Sequence, residues 1–177
     1  MPEYSYDIKI PKDRVAVLIG KNGEVKKALE ELTHTKISVD SREGDVIVVG
    51  EDPLTLFSTR DIIRAIARGF NPDLAQLLLK SDYMFELVEL KDFVKNKNQM
   101  PRIKGRIIGK DGKSREIIES LTDTYVCIYG KTIGIIGLGE DVAVARRAIE
   151  SLVAGSPHSN VYKWLEKKRR EKKLDFV

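Results

Sequence analysis

Ile107-Ile108-Gly109-Lys110-Asp111-Gly112-Lys113-Ser114-Arg115 is the stretch on which the fold turns. An apolar run ends in two glycines that bracket two polar residues, and an amphipathic segment follows. Glycine has no Cβ, so it reaches positive φ and lets another backbone come close. A helix that begins just after such a loop points unpaired amides and a partial positive charge outward, which suits a phosphate. Lys110, Lys113 and Arg115 add full charges beside it.

The loop has a twin. Gly20-Lys21-Asn22-Gly23 recurs as Gly109-Lys110-Asp111-Gly112, an offset of 89 residues. The same offset carries Leu18-Ile19 onto Ile107-Ile108, Ile37-Ser38-Val39 onto Val126-Cys127-Ile128, and Val46 to Asp52 onto Ile135 to Asp141. Four blocks in one ungapped register mark a tandem duplication.

Each unit then reads the same way. Tyr4 to Ile10 alternates like a half-buried strand. Val15 to Ile19 predicts one or two helical turns before the glycine loop. Val25, Ala28, Leu29 and Leu32 stand at helical spacing in Glu24 to Leu32, predicting a helix with that face buried. Lys36 to Val39 and Asp45 to Val49 read as strands joined by a turn. Asp52-Pro53 opens a last helix that stops near Gly69, with Asp52 and its repeat Asp141 as caps. The second unit's last helix is expected to run from Asp141 to Val153, about three residues shorter, with the order of elements otherwise unchanged. It also carries an extra polar segment, Lys91 to Pro101, before its loop. Asn71 to Lys80 predicts a short bridging helix, and Asn160 onward a basic C-terminal one. Three antiparallel strands with helices on one face make an α+β unit. The expected division is 1–82 and 83–177.

Gly112-Lys113-Ser114 is also the ending of the nucleotide-binding P-loop. That motif needs a glycine where Ile107 stands, and the first unit continues Gly23-Glu24-Val25. A nucleotide-dependent enzyme is therefore the weaker alternative. The strand–helix–GxxG–helix–strand–strand–helix order resembles the KH domain of type I (βααββα), and the resemblance covers both units. It implies a module that clamps about four nucleotides of single strand with the glycine loop.

The second unit carries a narrower resemblance. Gly105 to Arg115, then Gly155-Ser156-Pro157 and Val161-Tyr162, is similar to the small-subunit ribosome assembly factors called "partner of Nob". That resemblance implies a ribosome biogenesis role near the 3′ end of small-subunit (16S) rRNA, with the Nob endonuclease and the alpha subunit of translation initiation factor two as partners. The first loop is intact, which resembles the archaeal rather than the eukaryotic form. Another KH protein of RNA turnover or translation is the alternative within the binding class.

The expected RNA-binding residues follow from the loops, their flanks and the strands beside them. In the second unit they are Lys104, Arg106, Ile108, Gly109, Lys110, Asp111, Gly112, Lys113, Arg115, Val126 and Ile128. In the first they are Ile19, Gly20, Lys21, Asn22, Gly23, Ile37 and Val39. Backbone and lysines are expected on phosphates. Bases are expected over an apolar floor of the second helix and the middle strand, with Ile117 and its repeat Ala28 included, and strand-edge groups reading base edges.

Charge sharpens this. The net +4 resides wholly in residues 163–177, which carry seven basic and three acidic side chains, so any polyanion site must be a local patch. Residues 95–115 supply one, with eight Lys or Arg and a single acid, Asp111. The second unit is therefore expected to dominate binding. One cysteine, Cys127, and two histidines, His34 and His158, suit surface or packing roles, so no metal, cofactor or catalytic residue is expected. The N-terminus has no basic-then-apolar leader and no stretch is long enough to span a bilayer, so a soluble cytoplasmic protein is expected.

Overall fold

The computed structural model describes residues 3–176; Met1, Pro2 and Val177, part of the leader and domain-end expectations, lie outside them. The chain divides into two compact units, Met1–Ser81 and Asp82–Val177.

The first unit runs β1 (Tyr4–Lys9), α1 (Lys12–Ile19), α2 (Glu24–Thr33), β2 (Lys36–Asp40), β3 (Asp45–Gly50) and α3 (Pro53–Ala67). Its sheet is antiparallel in the order β1-β3-β2, so β3 is central and β2 lies at an edge. Val46, Val48 and Ile37 project from one sheet face and join Leu18, Leu29, Leu56, Ile62 and Ile66 in the core. A short turn of helix, α4 (Pro72–Ala75), and a following 3₁₀ turn (Gln76–Leu79) lay Ala75 and Leu78 into the same unit. On α2 the buried face is narrower than the spacing predicts: Leu29 and Thr33 are buried, whereas Ala28 is exposed and Leu32 is 53% exposed. Glu30 displaces the apolar register, because its carboxylate turns toward the sheet.

The second unit repeats the order as β4 (Tyr83–Glu89), α5 (Met100–Ile108), α6 (Lys113–Thr122), β5 (Tyr125–Tyr129), β6 (Thr132–Leu138) and α7 (Gly139–Val153). Its sheet is again antiparallel, in the order β4-β6-β5. A last helix, α8 (His158–Leu174), seats Val161 and Leu165 in this unit's core with Trp164 partly buried beside them. The extra segment before α5 is two short 3₁₀ turns, Leu90–Phe93 and Lys97–Gln99.

The two last helices are equally long at 15 residues, which corrects the expected shortening. Proline is the reason. It disfavours helical geometry in the residue before it, so Asp52 stays extended and caps α3 through the amides of Leu54 and Thr55. Val142 replaces that proline in the repeat, and α7 starts two residues before Asp141. Asp141 is therefore not a cap. It lies inside the first turn, 5% exposed, and accepts Lys172 Nζ from α8 at 2.8 and 2.9 Å. Hydrogen bonds from the Thr55 side chain and backbone hold the Asp52 carboxyl below its usual range.

An arginine ties the first helix of each unit to the end of its last helix. Arg14 donates to the carbonyls of Ile66 (2.8 Å) and Phe70 (3.0 Å). Arg106 donates to those of Leu152 (2.9 Å) and Ser156 (2.6 Å). Arg14 stands six residues before its glycine loop and Arg106 three, one helical turn apart on the same face. His158, expected at the surface, is half-buried, with Nε2 at 2.8 Å from the Arg106 carbonyl.

Arg169 and Lys172 likewise fix α8. Arg169 donates to the Ser120 carbonyl at 2.6 Å and pairs with Asp123 at 3.4 Å. Replacing Lys172 by alanine strands the covered Asp141 carboxylate and should lower stability by about 1–3 kcal/mol, below the cost of a fully buried pair because the lysine is partly solvated. Lys173→Ala should stay within about 0.5 kcal/mol. Urea unfolding of both variants checks the difference.

Candidate nucleic-acid interface

The two glycine loops follow one backbone path. Gly20 and Gly109 have φ, ψ of 77°, 174° and 73°, 175°. Asn22 and Asp111 both sit at φ 55°, in the left-handed region those residue types tolerate. Gly23 and Gly112 follow at φ 77° and 75°. The first glycine is required twice over, by its φ and by space. A Cβ on Gly109 would lie 2.6 Å from Ser114 Cβ and 2.7 Å from Ser114 N; one on Gly20 would lie 2.5 Å from Val25 Cγ2 and 2.8 Å from Val25 N. At Gly112 nothing lies within 4 Å, so φ alone selects glycine and the outer face stays open.

Both following helices begin without a side-chain cap, on Gly23 and Gly112. The first amide of each helix is bonded back into the loop, Glu24 N to the Lys21 carbonyl and Lys113 N to the Lys110 carbonyl. The amides that follow in the first turn have no carbonyl four residues back inside the helix and lie at the positive end of its dipole. A phosphate oxygen satisfies such groups without reading sequence.

The charges around the two loops differ. Lys110 and Lys113 are exposed, Lys104 and Arg115 half-buried, and none of the four forms an ion pair with a described residue. Arg115 Nε is buried and lacks a hydrogen-bond partner among the described residues. Arg115 repeats Lys26, which is engaged with Glu30 at 3.5 Å, and Lys113 repeats Glu24, an acid in the first turn of α2. Lys21 is exposed like Lys110. Arg106 leaves this group, because its Nε and one terminal nitrogen serve the carbonyl clamp on α7.

Beside each loop lies a sheet edge. The strand that is middle in chain order, β2 or β5, is outermost in its sheet. Its first outward amide is already occupied: Ile37 N donates to Glu30 Oε1, and Val126 N to Glu119 Oε1, both at 2.8 Å. By the alternation of an antiparallel edge, the next outward-facing backbone groups belong to Val39 and Ile128.

The floor is smaller than expected. Ile37 (1% exposed) and Val126 (3%) are sealed in the core and support it from beneath. Ile19, Val39 and Ile128 are half-buried and Ile108 is 36% exposed, leaving these as the reachable apolar surface. Ile117 does not join them, because it and Glu119 project roughly 160° apart around α6 and Glu119 takes the strand side. Ala28 and Glu30 on α2 stand in the same relation. Glu30 and Glu119 are the residues that sequence reasoning missed. Their recurrence at the 89-residue offset was the available signal.

Among the described residues, no group of three or more His, Cys, Asp or Glu could hold a metal ion, and no helix is long and apolar enough to cross a membrane.

Comparison with known proteins agrees with this geometry. Residues 84–170 match the model of the eukaryotic type KH domain (KH-domain type I), and residues 5–68 match the KH domain model. The KH domain-containing protein MJ0443 of Methanocaldococcus jannaschii is 46% identical over 168 residues, covering 93% of this chain and 74% of the relative. The pre-rRNA-processing protein pno1 of Aspergillus fumigatus is 38% identical over 111 residues, 60% of this chain, and the chain spans 44% of that longer protein. A chain in the crystal structure of the a/eIF2alpha–aDim2p–rRNA complex from Pyrococcus horikoshii superposes with a TM-score of 0.91 at 44% identity, covering 96% of each chain. Duplicated glycine loops, uncapped helices and matching relatives lead to one conclusion: the chain belongs to the KH-domain family, as a two-KH protein of the group that includes archaeal Dim2p and eukaryotic PNO1.

Proposed function

We propose that this protein is a non-enzymatic RNA-binding factor for assembly of the small ribosomal subunit. In this reading it holds single-stranded RNA from the 3′ region of small-subunit rRNA, chiefly in its second KH unit. The carrying observation is the second loop, where an uncapped helix start meets four cations that no described residue neutralises. The relatives support the setting, since one is named for pre-rRNA processing and another for a complex with rRNA and a/eIF2alpha. The alpha subunit of translation initiation factor two and the Nob endonuclease are the proposed protein partners. The site residues proposed on RNA are the two loops with Lys104, Lys113, Arg115, Ile19, Ile108, Val39 and Ile128. Calorimetry with ATP is expected to show no binding.

Crosslinking in cells with sequencing of the recovered RNA tests the biological assignment. Enrichment of small-subunit rRNA is expected, and enrichment of other transcripts would transfer the protein to a different KH function. Lys110→Asp should weaken binding to single-stranded rRNA by about tenfold, since two charge units change at a phosphate site of the kind that dominates affinity. Lys21→Asp should weaken it less, with the circular dichroism of both unchanged; equal losses by fluorescence anisotropy would remove the asymmetry. These lysines are better probes than Gly109, where any Cβ collides with Ser114. With about four to six phosphates contacted, the logarithm of affinity should fall against that of salt with a slope of about −3 to −4.

A further inference from the structure

The segment between β4 and α5 is ten residues long, where the first unit uses only Ile10 and Pro11. Nothing in the KH frame requires it, and loops of this kind carry function more often than fold. It builds a cleft of about 380 Å³ against the end of α7, within the size range of small-ligand sites. Phe93, Lys95, Gln99, Arg102 and Arg106 line it.

The lining has the chemistry of a nucleotide site. Phe93 is 39% exposed, an aromatic ring left to solvent. Lys95 and Arg102 are exposed and form no ion pair with a described residue. Gln99 accepts the Lys95 amide through Oε1 at 2.9 Å, which fixes its side chain and leaves its NH₂ donors for a ligand. Carbonyls at the end of α7 would oppose an anion, but Arg106 already covers those of Leu152 and Ser156. The charges of Lys95 and Arg102 therefore remain available.

The cleft is joined to the first site by the surface of α5. Arg102, Gly105 and Ile108 are spaced three apart, so they form one ridge, and all three are exposed. Gly105 has open space around it and leaves the helix backbone bare midway. Ile108 belongs to the floor beside the glycine loop. The seven helical steps from Arg102 to Gly109 span about 10 Å, within reach of a strand continuing past the clamp.

We propose that this cleft is a second nucleotide-binding subsite, which takes the part of the same RNA strand flanking the nucleotides clamped at Gly109 to Gly112. A base stacks on Phe93, and backbone phosphates lie at Lys95 and Arg102. The proposal rests on the RNA-binding reading above.

Two probes separate them: a single-stranded RNA of about twelve nucleotides from the 3′ end of archaeal small-subunit rRNA, and overlapping pieces of about four nucleotides, the length one KH groove holds. Binding is followed by anisotropy for the long RNA and by NMR titration for the short ones. The Lys95→Ala/Arg102→Ala double variant, which alters only exposed side chains, should bind the long RNA about tenfold more weakly with a salt slope shallower by about 1.4. Short RNAs should bind it like the unaltered protein. Phe93→Ala should show the same length-selective loss without the change in slope. Unchanged long-RNA binding in both variants overturns the subsite, and so does equal weakening of long and short RNAs. Loss of a/eIF2alpha binding with RNA binding intact would overturn it in favour of a protein surface. If the unaltered protein binds neither RNA, the RNA reading itself fails.

Discussion

The contact between a bare Cα and the first turn of the next helix holds each functional end of this protein together. At Gly20 and Gly109 the chain leaves one helix, and within five residues it enters another whose first turn lies against the glycine. No side chain fits there, and φ near 75° excludes most residues independently. The closeness keeps the loop short and places no capping side chain between the amides and solvent. Everything proposed for phosphate binding depends on that unfilled helix start. The apolar pattern behind it is present only to hold two helix ends and one strand edge in that relation.

Duplication preserved the frame and changed what is attached to it. The arginine clamp survives with its origin moved by one helical turn, because the carbonyls at the end of the last helix can be reached from either position on the face. The acid at the start of the last helix survives as well, in a different role. Before a proline, Asp52 must stay outside the helix and cap it; before a valine, Asp141 is drawn inside and holds a lysine of α8. Conserving a residue type across a repeat does not conserve its task when a neighbour resets the backbone.

The order of elements and both glycine loops could be read from the sequence, because φ preference and strand alternation are local properties. Three features could not be. Arg106 belonged to a basic run and was assigned to RNA, yet its guanidinium is taken by carbonyls about fifty residues away in the chain. Ile37 and Val126 have the β-branched form of a floor, but whether an apolar side chain lies above or beneath that floor depends on packing from α2 or α6. Leu32 fits the helical stripe and is nevertheless exposed, since Glu30 sets the rotation of α2 by bonding the strand. Each placement depends on a long-range partner that a periodic pattern does not encode.

Glu30 and Glu119 bear on more than the binding groove. A sheet of three strands has an open margin, and the row of unpaired amides there is a template on which another copy could build an extra strand. In both units a carboxylate from the neighbouring helix has already occupied one amide of that margin. An incoming strand would have to displace a charged acceptor before its ladder could extend. The carboxylate thus blocks one position of the β2 and β5 margins to an added strand while leaving the next outward-facing groups, those of Val39 and Ile128, open.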